Sequence, residues 1–71
     1  MILIDAMYIN TGGGLALLRY LVETMREKKE DFFLLADARV GNEFMELSHV
    51  EIVSASLSNR NRFYRKHKGE F

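Results

Sequence analysis

Cysteine and proline are both missing from the 71-residue sequence, and histidine occurs only twice. Without cysteine there is neither a disulfide framework nor a thiolate metal site, and cysteine usage leaves the redox compartment open. His49 and His67 are too few and too far apart to form a metal site, and no metal or cofactor is expected. The lack of proline excludes no fold class. Long apolar runs are missing as well. Met1 leads straight into a strand-like segment with no basic leader, so neither a signal peptide nor a transmembrane helix is expected, and the default compartment is the cytoplasm. Internal repeats and low-complexity stretches are also absent.

What is present is a composition of 48% hydrophobic and 28% charged residues, which reads as a soluble, globular chain of one domain at most. Chains this short bury only about 60% of their unfolded surface and usually need an additional stabilising device such as oligomerisation. Formal net charge is zero, but it is unevenly spread: from Leu57 onward the chain carries +4 and the remainder −4. A basic terminal segment on an acidic body is a real asymmetry.

Ile2, Leu3 and Ile4 form a continuous apolar run of the kind found in a parallel strand covered on both faces. Leu15, Leu18, Val22 and Met25 then recur at three- and four-residue spacing, with Leu17 and Leu21 widening the stripe, which predicts an amphipathic helix of about four turns. Asn10 or Thr11 is placed to cap it. Arg19 and Glu23 are spaced as a surface pair, and Lys28 and Lys29 suit the negative pole of the dipole. Phe32 to Ala36 is a second strand and Val50 to Ser54 a weaker third, with a short helix from Asn42 to Leu47 between them. The pattern is α/β: residues 1–56 form a β-α-β-α-β half of a Rossmann-like domain, and residues 57–71 a basic, helix-compatible tail. Right-handed crossovers give a three-stranded parallel sheet of order 3-2-1 with helices mainly on one face. The other face is expected to be bare: the chain is a truncated half of a doubly wound fold, or it hides that face against a second copy of itself.

The chemistry-bearing segment is the junction between the first strand and the helix. Asp5 ends the strand at the carboxyl edge, where open α/β sheets bind ligands, and Tyr8 and Asn10 precede Gly12, Gly13 and Gly14 at the helix start. Unpaired N–H groups and the positive dipole end favour an anion there, and glycine lets it approach closely. The run fits neither Gly-x-Gly-x-x-Gly, which would need glycine where Leu17 stands, nor a P-loop, because Leu15 and Ala16 follow the glycines. The turn reads in two ways: a phosphate or sugar-nucleotide cradle, or a tight connection needing glycines for positive φ and close packing. Asp5 either orients the turn by accepting backbone N–H groups or meets a ligand hydroxyl. Tyr8 and Asn10 either contact a sugar or pack the loop and cap the helix. His49, in a loop before a strand, reads as solvated, and no residue stands out as catalytic.

Ile2-Leu3-Ile4-Asp5-Ala6, followed by Tyr8-Ile9-Asn10, Gly12-Gly13-Gly14 and a Leu-rich helix containing Arg19-Tyr20-Leu21, resembles the N-terminus of a GT-B glycosyltransferase of the glycosyltransferase 4 kind. The resemblance runs from Met1 through the third strand, and its opening segment is the specific part. It implies a glycine loop facing the cleft between two Rossmann-like domains, with Gly12, Gly13 and Gly14 near the donor diphosphate and the acceptor. The implied reaction is sugar transfer from a nucleotide-sugar donor to a glycan or lipid-linked acceptor. The donor-binding domain, with its paired glutamates and basic phosphate contacts, has no counterpart here, so this chain alone is expected to be inactive. Gly69-Glu70-Phe71, which carries no helix stop beyond Gly69, fits a piece of a longer protein.

Arg60, Arg62, Arg65, Lys66 and Lys68, with Phe63 and Tyr64 among them, read either as the solvated start of a helix or as a surface for polyanions or an anionic membrane. By the resemblance, such residues approach the bilayer that holds the acceptor, which implies peripheral contact with the inner face of the membrane; nucleic acid is not the expected partner. The contrasting expectation is a complete small oligomeric module that binds an anionic ligand or polyanion.

Overall fold

The structure is a computed structural model that describes all 71 residues. Strand β1 spans Ile2–Ala6, helix α1 Gly12–Glu27, strand β2 Phe32–Asp37, strand β3 Val50–Val53 and helix α2 Leu57–Lys66, with a 3-10 segment at Gly41–Phe44 between β2 and β3. The sheet is parallel with order β1-β2-β3, Ile4 opposite Leu34 and Leu34 opposite Val50. This is the α/β, partial Rossmann-like arrangement that the run-and-helix pattern predicts.

Side-chain alternation divides the strands between two cores. Ala6, Leu34 and Ala36 point to one face, where Leu15, Leu18 and Val22 of α1 and Phe44 pack on them. The 3-10 segment is shorter than the helix expected over Asn42 to Leu47, and its entry is set by a close approach. A Cβ on Gly41 would collide with the side chain of Ile52, so glycine lets the segment lie directly on β3. Arg19 takes its partner from this segment rather than from Glu23: its guanidinium donates to both carboxylate oxygens of Glu43 at 2.6 and 2.7 Å. A neighbour in space with bidentate geometry displaces one in sequence. Helix α1 ends in paired terminal bonds, Lys29 N–H to Arg26 O and Glu30 N–H to Met25 O, with Lys29 in the left-handed region at φ 56°.

The second face, expected to be bare, is covered by α2. Phe63 is buried with Met7 and Leu35, and Leu3, Phe33, Val53 and Ala55 pack around this cluster. The rings of His67 and Phe71 extend it, with centroids 4.4 and 6.1 Å from that of Phe63. Few apolar residues suffice because the face itself is not wholly apolar. Asp5 and Glu51 share its parity, and α2 meets them with Arg60, 2.8 Å from Asp5, and Lys66, 3.0 Å from Glu51. The charge asymmetry along the chain is therefore partly satisfied within the fold, and Arg62, Arg65 and Lys68 remain exposed. No helix is long and apolar enough to cross a membrane.

Replacing Phe63 removes the one large side chain that α2 buries. Phe63→Ala is expected to cost about 3–5 kcal/mol, enough to detach α2 or unfold the chain, whereas Phe63→Leu is milder. Thermal melts followed by circular dichroism distinguish these outcomes from an unchanged melting temperature.

Candidate functional site: the glycine turn at the carboxyl edge

The turn between β1 and α1 begins as a tight reversal in which Ile9 N–H donates to Ala6 O at 3.0 Å. Asp5, the last but one residue of β1, accepts the N–H of Met7 on one oxygen at 3.3 Å. Its other oxygen accepts Arg60 Nε at 3.0 Å and the Tyr64 hydroxyl at 2.7 Å. That donation, together with partial burial, raises the Tyr64 phenol above its usual range. The carboxylate thus orients the turn and holds α2, and both of its oxygens are engaged. Tyr8 is exposed, with the Arg60 guanidinium 5.4 Å from its ring centroid, a cation–π stack that ties the loop to α2.

Neither predicted cap is used. Thr11 occupies the capping position in extended conformation, but its side chain makes no capping bond. Asn10 turns instead toward the sheet, donating from Nδ2 to Asp37 Oδ2 at 3.1 Å and to Tyr8 O at 3.3 Å. The Nδ2 group donates to a charged acceptor, and the oxygen that a cap would use turns away from the helix start with it.

Asp37, at the end of β2, is the residue that the sequence reading missed. It is 1% exposed and accepts from the Arg39 backbone N–H at 3.0 Å, from Arg39 Nη2 at 2.8 Å and from Asn10. The Arg39 side chain, foremost, and then the backbone and Asn10 bonds hold its carboxyl down at about 2, against an ordinary 3.8, despite burial. A signal was present: Phe32–Asp37 ends in an acid at the carboxyl edge just as the first apolar run ends at Asp5, and Arg39 follows two residues on. Asn10, Asp37 and Arg39 form a chain of bonds that fixes the glycine turn to the neighbouring strand.

Beyond this anchor the helix start is open. Gly12, Gly13 and Gly14 are all exposed, and the first backbone bond closing this end is Leu15 N–H to Thr11 O at 3.4 Å. Gly12 has φ 63°, a conformation that favours glycine. A Cβ on Gly13 would meet nothing within 4 Å, and one on Gly14 only Ile9 Cγ2 at 3.6 Å. Six predicted residues therefore lie at one sheet edge: Gly12 to Gly14 present bare backbone, Tyr8 stacks on Arg60, and Asp5 and Asn10 act as anchors. A cleft of about 350 Å³ lies at the opposite, amino edge, lined by Arg26, Lys29, Glu30, Asp31, Glu46 and His49 among others. It sits at the carboxyl end of α1, where the dipole disfavours anions, and its bases and acids offset each other. No cluster of His, Asp or Glu is arranged to hold a metal ion.

Because the Asp37 carboxyl is held below its ordinary value, the stability it adds is present above about pH 4 and is lost as pH falls toward about 2. Asp37→Asn is expected to lower stability at neutral pH and to flatten the acid limb of a pH-dependent denaturation series. An unchanged acid limb would show that other carboxylates dominate it.

No protein-family model, curated protein or solved structure matches the chain.

Proposed function

We propose that this chain is the opening portion of a glycosyltransferase that moves a sugar from a nucleotide-sugar donor to a glycan or lipid-linked acceptor, with Gly12 to Gly14 facing the donor's diphosphate. The observation that carries the reading is the pair Gly13 and Gly14. Glycine is a poorer helix former than alanine, and neither position is crowded enough to demand it. Bare backbone at an uncapped helix start is useful to a group outside the chain, and the N–H groups and dipole there favour a phosphate. The parallel sheet adds support, since this is the edge at which open α/β folds take their ligands. Arg39 and Arg60, drawn to Asp37 and Asp5, keep the two strand-end acids from opposing an anion.

Both strand-end carboxylates are engaged in holding the fold, which leaves no free pair for general acid–base chemistry. The chain by itself is therefore expected to bind the donor's diphosphate weakly, with millimolar affinity, and to transfer no sugar.

The test is a titration of the ¹⁵N-labelled chain with uridine diphosphate and a uridine diphosphate sugar, with inorganic pyrophosphate as control. Saturable movement of the Gly12, Gly13 and Gly14 amides is expected, larger for the nucleotides than for pyrophosphate. Gly13→Ala is expected to raise stability by about 0.4–1 kcal/mol and to weaken that movement, because the added Cβ stands where the anion would approach the backbone. Amides that stay in place throughout, or an alanine variant that binds as before, would overturn the reading.

A further inference from the structure

His67, which closes α2, carries at Nε2 the only buried side-chain nitrogen or oxygen that lacks a hydrogen-bond partner. Its side chain is 12% exposed and sits among three phenylalanine rings, with centroids 4.4 Å from Phe63, 5.1 Å from Phe33 and 5.8 Å from Phe71. Leaving a polar atom unpaired in such a setting costs free energy, so an orphan in an otherwise satisfied core has a physical reason to be sought. Carboxylates stand at both ends of the ring. Nδ1 is 3.0 Å from Glu70 Oε2, and Nε2 is 3.6 Å from Glu51 Oε1, just beyond hydrogen-bond reach.

A neutral imidazole cannot serve both acids. It carries one N–H and one lone pair, so with Nδ1 donating to Glu70 the Nε2 lone pair faces the Glu51 carboxylate, and in the other tautomer the Nδ1 lone pair faces Glu70. The imidazolium donates from both nitrogens and meets an acid at each. No other charge near the ring replaces it. Lys66, on α2, reaches the same Glu51 oxygen at 3.0 Å, but its side chain is 63% exposed and pairs from the solvent side, which leaves the buried Nε2 with Glu51 alone. Strand β2 meets the ring with Phe33, whose further neighbour is His49, stacked on it with centroids 6.2 Å apart. The acid that β1 places on this face, Asp5, is engaged nearer the start of α2 by Arg60 and Tyr64.

We infer that His67 is a proton-operated latch: its imidazolium bridges Glu51 on β3 to Glu70 beyond α2 and fastens the last turn of the helix to the sheet, and the neutral ring lets that end go. Histidine is the side chain that changes charge between about pH 5 and 8. The contacts that only the imidazolium makes are therefore present at the acid end of that window and lost as pH rises through it. Asp37 acts in the opposite sense and outside the window, its contribution being lost as pH falls toward about 2. The latch does not depend on the glycine-turn reading.

Urea denaturation of the full chain at a series of pH values across the histidine window tests the inference. The folded-to-unfolded ratio is expected to fall about tenfold from the acid to the alkaline end, the scale of one charge-assisted hydrogen bond. His67→Gln is neutral throughout and is expected to flatten the profile even where it lowers stability at every pH, since the slope rather than the level reads the proton. Glu70→Gln, at an exposed position that leaves the core intact, is expected to reduce the slope. His49→Gln is expected to leave it unchanged. A flat profile for the unaltered chain, a slope that survives His67→Gln, or one that His49→Gln removes would overturn the inference.

Discussion

Phe63 and the two ion pairs beside it decide whether this chain has one core or two. A parallel sheet needs cover on both faces, and after α1 and the 3-10 segment are placed, only α2 is left to supply the second. It does so with one buried aromatic ring, an extension of that ring by His67 and Phe71, and basic groups matched to Asp5 and Glu51. The acids on that face give the cover its basic composition. The more exposed Lys66–Glu51 pair contributes at most about 1 kcal/mol, while the half-buried Arg60–Asp5 pair fixes the orientation of α2 on the sheet.

The glycine turn inherits its position from the same arrangement. Asp5 is shared between the Met7 N–H on the turn and the Arg60 and Tyr64 side chains on α2, so one carboxylate couples the loop to the helix on the far face. Asp37 does the corresponding task from the next strand through Asn10. Two strand-end acids thus act as anchors, and the open helix start between them is held without a capping side chain of its own. A cap would stabilise α1 by about 1 kcal/mol, and its absence leaves the first-turn N–H groups available.

Much of this was legible in the chain before the fold was seen. The apolar runs from Ile2 and Phe32 and the spacing of Leu15, Leu18 and Val22 specify strands and helix because burial imposes their periods directly. The strand order follows from the shortness of the connections. Partners chosen in space were not legible: Arg19 to Glu43 and Asn10 to Asp37 join residues 24 and 27 positions apart, and local spacing says nothing of them. The cover of the second face is not legible from hydrophobicity alone, because the charges of Arg60 and Lys66 have their counterparts on the sheet.

The bond from Arg60 to Asp5 closes a loop of 55 residues, joining the last helix to the first strand. Contacts of such separation are entropically the slowest to form, while α1 with β1 and β2 can assemble from shorter-range encounters. Helix α2 is accordingly the natural unit of local opening, released as a whole when Phe63 leaves its seat. Each such excursion would bare Phe33 and Leu35 and free the Asp5 carboxylate at once, so exchange of the Met7 amide, which Asp5 holds, and of the amides of the final helix would run on a common clock.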